Sequence, residues 1–311
     1  MTGPFNNQPI NSKHYLCTMY YLVYGFLYLV SLLPFFILYG IGDVICIMMY
    51  HVFGYRKDVV MNNLAIAFPE KSMAEREGIA TQFYKNFVDT FIETIKLLSM
   101  RDAEFDKRCT GDFSLINGIA ATGKNIQFMG GHQFNWEFVN LLLSRQIKIP
   151  FIGVVANVEN KIFNRIYFKF RARYGTILIP NSNFQRQMIG LMKKQYSMCL
   201  LADQNTHPGK AYWLNFFGKP VPFIMGPHRA AVKNNPVLIY YNFKKIKRGH
   251  YHFEVFEIVE NAGSYKPEAL ALRYRDYLES IIRNQPANYL WSHRRWKHAY
   301  DDTHVKLWID K

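Results

Sequence analysis

The sequence predicts an α/β fold: a central mixed, mostly parallel sheet flanked by helices, with an N-terminal membrane-anchoring helix. Three observations predict it. Between residues 126 and 259, short apolar runs alternate with stretches of helical period, the pattern of strands joined by covering helices. A long uncharged run lies near the N-terminus. Half of the 311 residues are apolar, ample for one large domain with an appendage.

The uncharged run extends from Tyr15 to Gly42. About twenty such residues cross a bilayer, and tyrosines suit the interface. The run is too long for a cleaved signal peptide, and no small-residue cleavage site follows. Pro34 lacks an amide donor and ends or kinks a helix. The expectation is a membrane helix over 15–33, then a second segment, Phe35–Val52, lying on or in the interface because it carries Asp43. Arg56 and Lys57 follow, and positive flanks tend to stay cytoplasmic.

Ile79, Phe83, Phe87, Phe91, Ile95 and Leu98 repeat at helical spacing, and Ser72 with Glu75 forms a capping box at the start of that helix. Strands are expected at 126–129, 151–155, 176–179, 198–202, 237–243 and 251–259. Helices are expected at about 134–146, 158–173, 184–195 and 226–235. Such sheets bind ligands at the C-terminal ends of their strands.

The formal net charge is +15, and residues 111–250 hold 19 Lys and Arg against four acids, Asp112, Glu137, Glu159 and Asp203. The rest of the chain is balanced. A basic excess confined to one segment points to an anionic partner. No nucleic-acid module is recognisable, and nucleic acid is not an expected partner. Cys17, Cys46, Cys109 and Cys199 lack the spacing of a zinc or redox pair. They read as reduced thiols, consistent with a domain facing the cytoplasm. His207 and His228 have no partner cluster, so neither a metal nor a cofactor is expected.

The stretch "NIQFMGGHQFNWEFVNLLLSR" carries the chemistry. It reads as a buried strand, a glycine turn and a helix. His132 and Glu137 are five apart, so on one helix they would point about 140° apart. They meet if His132 sits in the turn and Glu137 in the first helical turn. Gly130 and Gly131 supply freedom for that turn. The carboxylate then holds one ring nitrogen and leaves the other as a general base. With no serine or cysteine nucleophile nearby, the pair suggests direct base catalysis: His132 deprotonates a hydroxyl that attacks an acyl carbonyl. Arginines or helix-start amides would supply oxyanion donors.

Six blocks in order resemble one family: "NNLAIAFPEKSMAER" (62–76), "GGHQFNWE" (130–137), "FRARYG" (170–175), "ADQNTHPGKAYWLNFFGKP" (202–220), "GPHRAA" (226–231) and "NYLWSHRRWK" (288–297). The chain resembles the bacterial lipid A biosynthesis acyltransferases, the late lauroyl/myristoyl transferases, within the superfamily marked by H-x4-D/E. The resemblance implies a glycerolphosphate-acyltransferase-like fold. It implies transfer of an acyl chain from acyl carrier protein to a hydroxyl of a lipid A precursor, with no cofactor. It also implies the bacterial inner membrane, with the catalytic domain on the cytoplasmic face. The chain then divides into a flexible leader (1–11), a membrane anchor with interfacial helix (12–55) and an acyltransferase catalytic domain (56–311).

On this resemblance His132 is the base and Glu137 orients it. Arg171, Arg173, Asp203, Gln204 and Asn135 are expected to bind substrate or support the oxyanion. Phe134 stands where many members have glycine, beside the base, where a ring would reshape the channel. Lys161, Arg165, Lys169 and Arg173 are spaced by four along one helical face. With Arg294 and Arg295, Lys161, Arg165 and Lys169 form a basic surface for the acidic carrier protein or lipid phosphate. Residues 291–296 read as a headgroup clamp or a packed C-terminal helix, and 244–252 as a basic hairpin turn. Two rival functions stand beside the first: the same chemistry on an aminolipid or glycolipid, and a non-enzymatic, membrane-bound basic module.

Overall fold

The computed structural model describes residues 12–156 and 158–310, with the backbone alone for 12–17. The expected leader lies outside the described residues. Among the described residues nine strands run in chain order: β1 (Cys109–Gly111), β2 (Ile126–Gly130), β3 (Phe151–Val155), β4 (Ile177–Pro180), β5 (Ser197–Leu201), β6 (Ala211–Phe216), β7 (Lys219–Ile224), β8 (Val237–Lys247) and β9 (His250–Val259). Seven form one sheet in the order β1-β9-β8-β2-β5-β3-β4, antiparallel only between β8 and β9. β6 and β7 form a separate antiparallel pair. The sheet is therefore mixed and mostly parallel. Central β2 is buried at all five positions, as a parallel strand covered on both faces must be. The six expected strands are present. β1 and the β6–β7 hairpin are additions; Pro220 and Pro222 weaken the strand signal there.

The helices are α1 (Ser12–Leu32), α2 (Phe35–Ile47), α3 (Lys57–Ala67), α4 (Met73–Lys96), α5 (Asp102–Arg108), α6 (Ser114–Ala121), α7 (Trp136–Gln146), α8 (Lys161–Arg171), α9 (Phe184–Leu191), α10 (Gly226–Asn234) and α11 (Pro267–Asn284). A π-helical turn, Met48–Val52, continues α2. The capping box at Ser72 is formed in both directions. Residues 291–296 are turns rather than a C-terminal helix.

α4 organises the N-terminal third. Both α1 and α2 pack along it. The chain breaks at Pro34 between them, and Lys96 of α4 donates from Nζ to the carbonyls of Ser31 (2.9 Å) and Leu33 (2.9 Å), satisfying acceptors that the helix end leaves free. Gly42 packs on Ile92 and Val88, and Asp43 pairs with Arg248. The outward faces of both helices stay apolar and open: Leu22, Phe26, Leu29, Phe36, Ile41 and Val44 are exposed. Among the described residues, the segment long and apolar enough to cross a membrane is Phe35–Val52, while Thr18–Leu32 is a shorter apolar stretch. Phe35–Val52, expected at the interface, thus has the length and composition to cross, and its Asp43 turns inward to Arg248; the first expected segment begins among residues whose side chains lie outside the described ones.

Candidate active site

β2 and β5 are parallel neighbours with Gly130 opposite Leu201. Two residues beyond that register, at the C-terminal edge of the sheet, stand His132 and Asp203. Asp203 Oδ1 lies 2.6 Å from His132 Nδ1, and Asp203 Oδ2 accepts the His132 backbone amide at 2.8 Å. Asp203 is wholly buried. Burial alone would raise its carboxyl; the facing His132 and its two hydrogen bonds outweigh that and hold the carboxyl below its ordinary value. With Nδ1 engaged, Nε2 is the nitrogen left for chemistry.

This corrects the expected partner. Glu137 does not hold the imidazole. It sits in the first turn of α7, almost fully buried, and pairs with Arg171. Arg171 donates from Nε to Oε2 at 2.8 Å and from Nη2 to Oε1, and Trp136 Nε1 donates to Oε1 at 3.1 Å. Burial disfavours the Arg171 charge, but the Glu137 hydrogen bond outweighs it and keeps the guanidinium protonated. A bidentate pair of this kind fixes both groups. The site thus holds two acid–base units: Asp203–His132 and Glu137–Arg171.

Gly130 and Gly131 are explained by space rather than by backbone freedom, since neither adopts a positive φ. A Cβ on Gly130 would meet the Tyr241 hydroxyl at 2.2 Å, and one on Gly131 would meet Leu278 Cδ2 at 2.8 Å. The turn is pinned further by Tyr274, whose hydroxyl donates to the Gly130 carbonyl at 2.6 Å. The C-terminal strap closes it: Phe134 N donates to Asn288 O and Leu290 N to His132 O, each at 3.1 Å.

His132, Trp136, Glu137, Arg171, Gln204 and Leu290 line a cavity of about 400 Å³. Asn135 was expected at the substrate. It instead caps α7, its Oδ1 accepting the amides of Glu137 (3.0 Å) and Phe138 (3.3 Å), while its Nδ2 donates to Glu93 at 3.1 Å. Arg173 is also displaced from the site. α8 ends at Arg171, and Arg173 turns to the carbonyls of Leu97 and Met100. Phe134 does not reshape the channel: its ring is fully buried in the core against Phe83 and Phe87.

Of the basic surface, Lys161, Arg165 and Lys169 are exposed on α8. Arg165 and Lys169 lie over the rings of Tyr20 and Tyr24 at 4.0 and 4.1 Å. Arg294 is exposed, but Arg295 is buried over Phe223, donating to Pro222 O at 2.9 Å. The apolar cage formed by the β6–β7 hairpin takes Arg295 off the surface and lowers its basicity. Among the described residues no group of three His, Cys, Asp or Glu could hold a metal ion. His207 accepts Gly209 N at 3.2 Å, and burial pushes His228 down to about 3.

Glu93 escaped sequence reasoning. This buried carboxylate accepts from Tyr39 (3.0 Å), Tyr251 (2.7 Å) and Asn135 (3.1 Å), tying α2, β9 and the cap of α7 together. Its register on α4, off the apolar stripe, reads as solvent-facing, so the sequence carried no signal for it.

At the strand edge a histidine held by a buried carboxylate stands with an arginine–glutamate pair in the wall of one cavity. The profile of the family "bacterial lipid A biosynthesis acyltransferase" matches residues 8–298, and the chain belongs to that family. It is 21% identical over 293 residues to the lipid A biosynthesis palmitoleoyltransferase of Escherichia coli (strain K12), covering 92% of this chain and 94% of that protein. A Shigella flexneri lipid A biosynthesis acyltransferase matches to the same extent. A second from that organism, lipid A biosynthesis acyltransferase 2, is 21% identical over 240 residues, 74% of either chain.

Proposed function

We propose that this chain transfers a fatty acyl group from the thioester of acyl carrier protein to a hydroxyl of a lipid A precursor, at the cytoplasmic face of the bacterial inner membrane. The observation that carries the mechanism is the His132 ring, held through Nδ1 by Asp203 in the wall of the cavity. Nε2 takes the proton of the acceptor hydroxyl as its oxygen attacks the thioester carbonyl. The C–O bond forms, the C–S bond breaks, and the proton passes from His132 to the departing thiol. Arg171, held by Glu137 through Nε and Nη2, keeps Nη1 for the developing oxyanion. Lys161, Arg165 and Lys169, exposed on α8, give the acidic carrier protein a basic surface. The open apolar face of α1 and α2 gives the membrane its contact.

The test compares total lipids from cells with and without the gene by mass spectrometry. Loss of one secondary acyl chain from lipid A is the expected result. Unchanged lipid A beside an altered aminolipid or glycolipid would move the same chemistry to another acceptor. No acyl change, with salt-steep binding to anionic polymers, would remove the enzymatic reading.

A further inference from the structure

A second cavity, of about 430 Å³, lies between α4, the turn joining β8 to β9, and the strap at Pro286–Asn288. Four cations converge on it: Lys85, Lys245, Lys247 and Arg248. Two acids answer them. Asp89, buried, pairs with Lys245 (3.1 Å) and Arg248. Asp43, on α2, pairs with Arg248 (2.7 Å) and Lys85 (3.8 Å). The cluster keeps a surplus of two positive charges. A phosphomonoester carries roughly −1.5 to −2 at neutral pH, so its charge matches the surplus. In the wall, Asn288 is buried and its Nδ2 donates to the Phe243 carbonyl at 3.3 Å.

Two features place this cavity for an acceptor rather than a free ion. Arg248 in its wall pairs with Asp43 of α2, and the outward face of α2 is open and apolar, which sets the cavity beside the face proposed to meet the membrane. It also shares a wall with the His132 cavity: Asn288 borders one and Leu290 the other. Two extended residues span about 7 Å.

We propose that this cavity binds the phosphomonoester headgroup of a membrane lipid and thereby holds the acceptor while its hydroxyl reaches His132. The second half rests on the acyl-transfer reading; the headgroup site stands by itself.

The test uses the full chain and phosphatidylcholine vesicles containing either phosphatidic acid, a phosphomonoester, or phosphatidylglycerol at equal charge. The wild type binds the phosphatidic acid vesicles about tenfold more tightly, as charge-assisted hydrogen bonds from two lysines allow. Lys85→Ala with Lys247→Ala abolishes that preference. Both lysines lie at the rim, and the buried Lys245–Asp89 pair stays intact. A preference absent from the wild type, or surviving in the variant, overturns the proposal. Inorganic phosphate that erases the preference at the lipid's own concentration assigns a free-anion site and overturns the headgroup. In acyl transfer, the double variant should raise KM for a phosphorylated lipid A precursor about tenfold and leave KM for the dephosphorylated one in place. Vesicle selectivity without any acyl transfer would fell the functional reading alone; acyl transfer without selectivity would fell the headgroup site alone.

Discussion

At the C-terminal edge of the sheet the charged groups are buried and paired atom to atom, whereas the α1–α2 hairpin leaves its apolar side chains in the open. Asp203 and Glu137 are almost inaccessible, and each carboxylate is fixed by at least two hydrogen bonds. On the hairpin, Phe36 is 75% and Leu29 66% exposed. Neither arrangement suits an ordinary soluble surface. A buried, fully partnered polar site holds groups in one geometry because misplacing any partner leaves an unsatisfied charge. An open apolar face of this extent is suited to a second phase. On the proposed function one region serves chemistry and the other location, and α4 packs against both.

The largest expected effect breaks the first region at its base. His132→Ala should lower acyl transfer about a thousandfold, within the range of a lost general base, with unchanged membrane recovery and unfolding. Turnover near wild type would end the base assignment. Next come the two carboxylates. Asp203→Asn should lower kcat at least about a hundredfold by leaving the imidazole in the wrong tautomer or orientation. Glu137→Gln should act through Arg171, as lower activity together with a loss of stability of about 3 kcal/mol, because a buried guanidinium loses its counter-ion. Stability against pH separates the aspartate further. The folded Asp203 carboxyl lies below its ordinary value, so its contribution is present above about pH 4 and lost as pH falls through the folded value. The gap between wild type and Asp203→Asn should therefore shrink in acid. A gap constant from neutral pH downward would show that Asp203 does not titrate with folding.

How much of this was legible depends on distance along the chain. The strand–glycine–helix unit around His132 is local, and its apolar run, glycines and cap announce it. The partner of the imidazole is not local: Asp203 lies 71 residues on. Only the β2–β5 register brings it to His132, and the nearer Glu137 offered itself instead. Asp203 was visible as a residue following a strand, but its role was not. On α4, apolar spacing located the helix and misjudged its faces. Phe91 is exposed, while Asn86, Asp89 and Glu93 are buried, because α2, the β8–β9 turn and the Pro286–Asn288 strap cover a side that periodicity assigns to solvent. Arg295 shows the converse: a run of basic residues reads as surface until the apolar cage from β6 and β7 is known.

A smaller effect sharpens the second region. Replacing Ile41, Val44 and Ile45 by serine removes three apolar side chains from the outer face of α2 without touching Asp43 or Gly42. Each contributes a share of the roughly 1.5–3 kcal/mol of a fully buried side chain. The triple variant should partition about tenfold more weakly onto vesicles in sedimentation and keep its activity on detergent-dispersed substrate. Full vesicle binding would mean that this face meets protein or solvent instead.

The smallest effect concerns the link between the regions. Glu93 accepts from Tyr39 of the hairpin, from Tyr251 of the sheet and from the Asn135 cap of α7. Burial, its largest influence, raises its carboxyl above the ordinary value. A folded value above the unfolded one of about 4.3 gives stability that is full below that pH and falls as pH rises through the folded value. Glutamine has nearly the same shape, bears no charge and keeps one acceptor, while either tyrosine hydroxyl can rotate to accept from its amide. Glu93→Gln should thus lie within about 1 kcal/mol of wild type in acid, at or slightly below it. It should gain on wild type as pH rises, in thermal unfolding followed across pH in detergent. A difference that is flat with pH, or that widens against the variant toward alkaline pH, would show that the Glu93 charge itself holds the hairpin to α7.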